Sequence, residues 1–106
     1  MPHTAYRRTG EKFTIMMTKW DEISFVISSR YRVAVLQRLA EGPATPSQIA
    51  TDTDITITHI SRALGGLRDR SMVELLVSED RKKGRLYGIT ENGEQIWTQI
   101  ETENMV

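Results

Sequence analysis

Two helix starts set close together constrain this chain more than any other feature of it. Thr45-Pro46-Ser47-Gln48 combines a capping threonine, a proline at the first helical position and a glutamine placed to complete a capping box. Shortly after it, Asp52-Thr53-Asp54 breaks the pattern with residues that favour caps and turns, and aspartate at 54 is one of the few non-glycine types that tolerates the left-handed region. Thr56 can then cap a helix in which Ile57, Ile60, Leu64 and Leu67 share one face, with Thr58, His59, Arg62, Ala63 and Gly66 expected to point away from it. Two helices must meet across a tight turn, and the rest of the chain must supply a core for both.

The flanking segments supply it. From Lys19, Trp20, Ile23, Val26 and Ile27 recur at helical spacing, and Ser28 or Ser29 offers a break and a cap. A second helix is expected from about Arg30 to Glu41, with an apolar stripe of Tyr31, Val35, Leu36 and Leu39 and with Arg32 and Arg38 outside it. Glu41-Gly42-Pro43 ends it. Val73, Leu75 and Val77 alternate with Glu74 and Ser78, and Arg85 to Ile89 gives a second extended run, with the polar loop Glu79 to Gly84 between them. Thr90 can cap a last helix carrying Ile96, Trp97 and Ile100, weakened by Gly93 in its first turn. Residues 1 to about 18 lack periodicity and read as a mobile arm. The fold class is mainly α with a small β-hairpin.

A length of 106 residues with 39% apolar types suits one small domain. The absence of cysteine removes disulfide frameworks, thiolate zinc sites and cysteine nucleophiles. The longest apolar runs, such as Val33 to Leu36, are far short of a spanning helix, so no membrane partner and a cytoplasmic location are expected. The net charge of zero is unevenly laid out: +3 over residues 1–20, 0 over 21–71, +1 over 72–90 and −4 over 91–106.

The order of these elements is that of a winged helix-turn-helix domain. Residues 30 to 90 resemble the small transcriptional regulators of the ArsR and MarR type, through Thr45-Pro46-Ser47-Gln48-Ile49-Ala50, Ile60-Ser61-Arg62-Ala63-Leu64, and Leu86-Tyr87-Gly88-Ile89-Thr90 before Gly93. The resemblance implies double-stranded DNA as partner, with the helix from Thr56 to Arg70 in the major groove and the hairpin tip along the neighbouring backbone or minor groove. Thr58, His59, Ser61 and Arg62 would then face the duplex. It also implies a homodimer built through terminal helices that presents two recognition helices to a pseudo-palindromic site. The chain would divide into a basic arm (1–18), a DNA-binding domain (19–90) and a dimerisation helix (91–106). It departs from the pattern at Asp54 and Ser71, positions that are often glycine, and in carrying Gly65-Gly66 within the recognition helix. The metal-binding cysteines of many ArsR-type sensors are missing, which removes metal sensing by that route; no cofactor is implied and the small-molecule effector is unknown.

Each candidate has a chemical reason and a plainer rival. Arg62 can donate two parallel bonds to guanine or clamp a phosphate, or instead pair with Asp69 or Asp54. His59 can donate to a base edge or phosphate, and its protonation would add charge at the DNA surface. Thr58 and Ser61 suit contacts that position the protein on the duplex. In the wing, Arg81, Lys82, Lys83 and Arg85 can displace condensed counterions, or simply keep a hairpin edge soluble with Glu79 and Asp80 offsetting half their charge. Arg7 and Arg8 suit an arm reaching along the groove. Gly65 and Gly66 each cost about 1 kcal/mol in a helix, which close packing against another backbone, from a neighbouring helix or from DNA, would offset; helix termination near Gly66 is the alternative. Trp20, Ile23 and Ile27 with Ile96, Trp97 and Ile100 exceed what so small a core requires and are assigned to the dimer interface, the alternative being that both tryptophans close the monomer.

Catalysis is not expected. His3 and His59 are too few for a histidine metal site, Ser61 and His59 stand two apart on a helix and do not face each other, and no phosphate-binding glycine loop is present. The rivals to sequence-specific DNA binding are a winged-helix protein-contact module of transcription or replication machinery and a non-specific architectural DNA binder. A protein-binding face shows large apolar anchors, whereas the face from Thr58 to Gly66 is small, polar and cationic and favours DNA.

Overall fold

The computed structural model of the chain describes residues 19–76 and 85–106. The first helix, α1, runs through residues 19–27, and Ser29 separates it from α2 (Arg30–Glu41) by taking extended backbone and accepting a hydrogen bond from Arg32 N–H at 3.4 Å. The second helix has the bounds the sequence predicts. It stops at Gly42, whose φ of 151° suits glycine and whose N–H donates to the Leu39 carbonyl at 3.1 Å.

The predicted capping box opens α3 (Pro46–Thr53): Gln48 N–H donates to Thr45 Oγ1 at 3.2 Å and Thr45 N–H donates to Gln48 Oε1 at 2.9 Å. An eight-residue helix cannot persist alone, and α3 is held by the buried Ile49. Asp54 follows at φ 57°, and Ile55 N–H donates to the Ala50 carbonyl at 3.3 Å, closing the turn into α4 (Ile57–Asp69). Ser71 ends the next turn at φ 61°. Both positions where the glycine of the related pattern is replaced thus keep the left-handed backbone that glycine would serve.

Strands β1 (Val73–Leu75) and β2 (Tyr87–Ile89) pair antiparallel, Val73 opposite Ile89, Glu74 opposite Gly88 and Leu75 opposite Tyr87. Val77, read as a continuation of the first run, lies outside the described residues. Ala44 adds a rung that the sequence did not signal, exchanging both backbone hydrogen bonds with Tyr87 at 3.0 Å. One residue between Pro43 and Thr45 has no alternation to read.

Helix α5 (Glu91–Thr102) is fastened at its start: Gly93 N–H donates to Thr90 Oγ1 at 3.0 Å while the Thr90 hydroxyl donates to the Ser71 carbonyl at 2.6 Å. Gly93 does more than weaken this helix. A Cβ there would stand 2.2 Å from the Met72 carbonyl oxygen, so glycine is what lets α5 dock on the turn before β1.

The core is centred on α2, which packs against α3, α4, α5 and β2. It joins Val35, Leu36 and Leu39 to Ile49, Ile60, Leu64, Leu67, Val73 and Tyr87. Ile23, Ile96, Trp97 and Ile100, assigned to the dimer interface from sequence, are also inside it; Trp97 is only 5% exposed. For Ile96, Trp97 and Ile100 the reason is the docking of α5, which turns its apolar face onto the single chain's own core. Trp20 and Ile27 remain at the surface, 45% and 40% exposed. In α4, Ala63 is buried rather than outward, because the buried arc is wide enough to include it beside Ile60 and Leu64. Ile57 leaves that arc at 49% exposure, because a side chain on the first helical turn reaches back over the helix end, beyond the core. Among the described residues, no helix is long and apolar enough to cross a membrane.

Candidate nucleic-acid interface

The outer face of α4 is set by helical geometry. Thr58, Ser61, Arg62 and Gly65 are exposed, with Arg68 and Asp69 continuing the surface toward the helix end. Thr56 stands at the N-cap with extended backbone, but its hydroxyl makes no capping bond to the first N–H groups of α4.

Arg62 pairs with neither Asp54 nor Asp69; among the described residues it has no carboxylate partner. Other arginines are tied into the fold. Arg38 Nε donates to Asp52 Oδ2 at 2.8 Å and its NH1 donates to the Gly42 carbonyl at 3.0 Å, joining α2 to α3. Arg32 NH1 donates to the Phe25 carbonyl at 2.8 Å, holding the last turn of α1. The guanidinium carbons of Arg32 and Arg70 stand 3.9 and 4.2 Å from the centre of the Phe25 ring, and Arg70 NH1 donates to Glu22 Oε1 at 3.1 Å.

This corner of α1 and α2 takes up one side of α4. His59 stacks on Tyr31 with ring centres 4.2 Å apart and planes 4° apart, and a Cβ at Gly66 would come within 3.1 Å of Phe25 Cζ. His59 is therefore half-buried at the side of the exposed α4 face, and Gly66 is explained by a neighbouring helix. Phe25 and Arg70 were not singled out in the sequence, and Tyr31 and Arg32 were read only as stripe and outer positions of the second helix. Their partners lie on other elements, and no local spacing announces them.

Two clefts flank the α4 ridge. One, of about 270 Å³, lies between α4 and the base of the hairpin and is lined by Pro46, Ser61, Leu64, Gly65, Arg68, Arg85 and Tyr87. The other, of about 300 Å³, is lined by Ser29, Tyr31, Arg32, His59, Arg62 and Ala63. Two arginines line each of them, Arg68 and Arg85 the first and Arg32 and Arg62 the second. Arg85 is thus placed at the first cleft, while Arg81, Lys82 and Lys83 of the wing and Arg7 and Arg8 of the arm lie outside the described residues. Among the described residues, no group of three or more histidine, aspartate or glutamate side chains is placed to hold a metal ion.

The family model for the HVO_A0261 N-terminal domain matches residues 20–104. No curated protein sequence matches the chain. Among solved structures, a homodimeric winged helix-turn-helix DNA-binding domain from Mycobacterium bovis, a possible ArsR-family transcriptional regulator, shares the fold at 20% identity and a TM-score of 0.67, covering 86% of this chain and 82% of that one. A MarR family regulator from Neisseria meningitidis superposes at 20% identity and a TM-score of 0.64, covering 93% and 71%. ZitR from Lactococcus lactis, in an apo form, does so at 17% identity and a TM-score of 0.64, covering 95% and 73%. The winged helix architecture of MarR and ArsR type regulators is what the chain shares with them.

Proposed function

The chain belongs to the HVO_A0261 N-terminal domain family, and from its winged-helix geometry we propose that it is a transcriptional regulator that binds double-stranded DNA as a homodimer on a pseudo-palindromic site. The carrying observation is the α4 ridge: a small polar face whose Arg62 meets no carboxylate among the described residues, flanked on both sides by clefts with arginines in their lining. A helix seated in the major groove has base edges in front and a phosphate strand to either side, and this distribution of groups answers that arrangement. A chain with no net charge binds through where its cations stand, and here Arg62 and Arg85 stand on either side of the ridge.

In this reading Thr58, Ser61 and Arg62 face the groove, His59 supports the face through its stack on Tyr31, and the wing cations Arg81, Lys82, Lys83 and Arg85 follow the backbone. Arg7 and Arg8 extend the contact from the arm (residues 1–18). Residues 19–90 form the reading module, and residues 91–106 back it. The exposed Trp20 and Ile27 of α1 meet the second copy. Ile57 is the large apolar group on the reading surface, and the thymine methyl is its partner in the groove. The related folds are those of regulators rather than enzymes, and the protein works in the cytoplasm without a catalytic step.

The test is to incubate the purified protein with fragmented genomic DNA of its source at moderate salt, recover the bound fraction and sequence it. A symmetric enriched motif, its half-sites about 10 to 10.5 base pairs apart or a multiple of that, is the expected result. Binding without enrichment, or none, overturns the reading.

A further inference from the structure

The glycine pair inside α4 divides into one residue that the fold explains and one that it does not. Gly66 is explained by Phe25, whose ring a Cβ would approach to 3.1 Å. Among the described residues Gly65 has nothing within 4 Å of where its Cβ would stand, and its φ is not positive. Neither packing nor backbone conformation asks for glycine there, while alanine at an exposed position within a helix is favoured over it. What does adjoin Gly65 is the cleft between α4 and the hairpin base. Ser61 stands one helical turn before it, Arg68 three residues after it, and Arg85 faces them from the start of the second hairpin arm. Leu64 and Tyr87 give the cleft an apolar wall.

We infer that Gly65 keeps this cleft open as the seat of a DNA phosphodiester, which the Ser61 hydroxyl and the Arg85 side chain hold while the bare backbone of α4 lets the sugar-phosphate strand approach closely; the inference rests on the DNA-binding reading above. Glycine serves close approach of backbone to ligand because it has no side chain to stand off the partner. A phosphate contact of this kind positions the protein and carries no sequence information, so losing it weakens binding to every duplex alike.

Gly65→Ala and Gly65→Leu test this by thermal unfolding at fixed protein concentration and by titration with duplexes of the selected motif and of random sequence. With open space around the new Cβ, Gly65→Ala is expected to raise the unfolding midpoint by about 4–8 °C. The same change is expected to weaken binding to both duplexes about tenfold, and Gly65→Leu to weaken it further. A destabilised Gly65→Ala variant would show that the cleft is not open and overturn the inference. Parent-like affinity in both variants overturns the phosphate seat and leaves DNA binding standing. A parent that binds no duplex overturns both.

Discussion

Arg62 within α4 and Arg70 at its C-cap are chemically identical, yet the structure gives them opposite fates. Arg70 is held by Glu22 and by the Phe25 ring; among the described residues Arg62 meets no carboxylate, and it lies on the exposed face. A dissociation follows. Arg62→Ala is expected to leave stability within about 0.5 kcal/mol of the parent while relaxing base discrimination by about 1–3 kcal/mol. Arg70→Ala is expected to lower stability by about 1 kcal/mol, the sum of an exposed ion pair and a cation-aromatic contact, with specificity unchanged. Denaturation curves and binding to duplexes carrying single base substitutions separate the two. The exposure of Thr58 and Arg62 was legible in the sequence because both lie well beyond a quarter turn from the buried stripe, whereas Ser61 entered through the family resemblance. His59, Ala63 and Gly66 lie closer to what packs against the helix. Whether an edge residue is outside or inside depends on what packs beside the helix, and the Phe25–Tyr31–Arg32 corner comes from another part of the chain.

At the scale of elements, the boundaries written in local chemistry were the readable ones. The Thr45–Gln48 box, the Gly42 stop and the Thr90 cap are each made by residues a few positions apart, so the sequence states them completely. What it does not state is how two elements approach. Gly65 and Gly93 look alike as glycines within helices, and only the packing tells them apart: open space surrounds one, and the Met72 backbone stands against the other. Gly93→Ala is therefore expected to destabilise the fold by about 1–3 kcal/mol or more, the opposite sign to Gly65→Ala, because the clash is with backbone that cannot rotate aside. Urea unfolding of the two variants beside the parent checks the sign. A Gly93→Ala protein as stable as the parent would mean that α5 does not dock through the turn before β1. The Ala44–Tyr87 rung is invisible from sequence for the same reason, being a contact between elements rather than a pattern within one.

The whole molecule sets how DNA is held. A single module of this kind buries about 600–1,000 Å² on DNA, which limits the affinity one copy can reach, and a rigid pair gains by making the second contact intramolecular. Most of the apolar surface that the sequence offered to a second copy is consumed inside one chain: Ile23, Ile96, Trp97 and Ile100 are core. Trp20 and Ile27 are left, seven residues apart and so near one line along α1, 45% and 40% exposed. This separates two classes of substitution. Trp20→Ser combined with Ile27→Ser is expected to give a folded monomer whose affinity for the two-fold site falls about 100-fold or more. Ile96→Ser, in the core, is expected to unfold the chain instead, since a buried hydroxyl replaces a side chain whose truncation alone costs about 2–5 kcal/mol. Sedimentation velocity reads the oligomer, far-ultraviolet circular dichroism the fold, and titration the affinity. A double variant that stays dimeric moves the interface away from α1. One that becomes monomeric and keeps parent-like affinity shows instead that a lone module suffices, with the wing and the arm making up what the second copy was proposed to supply.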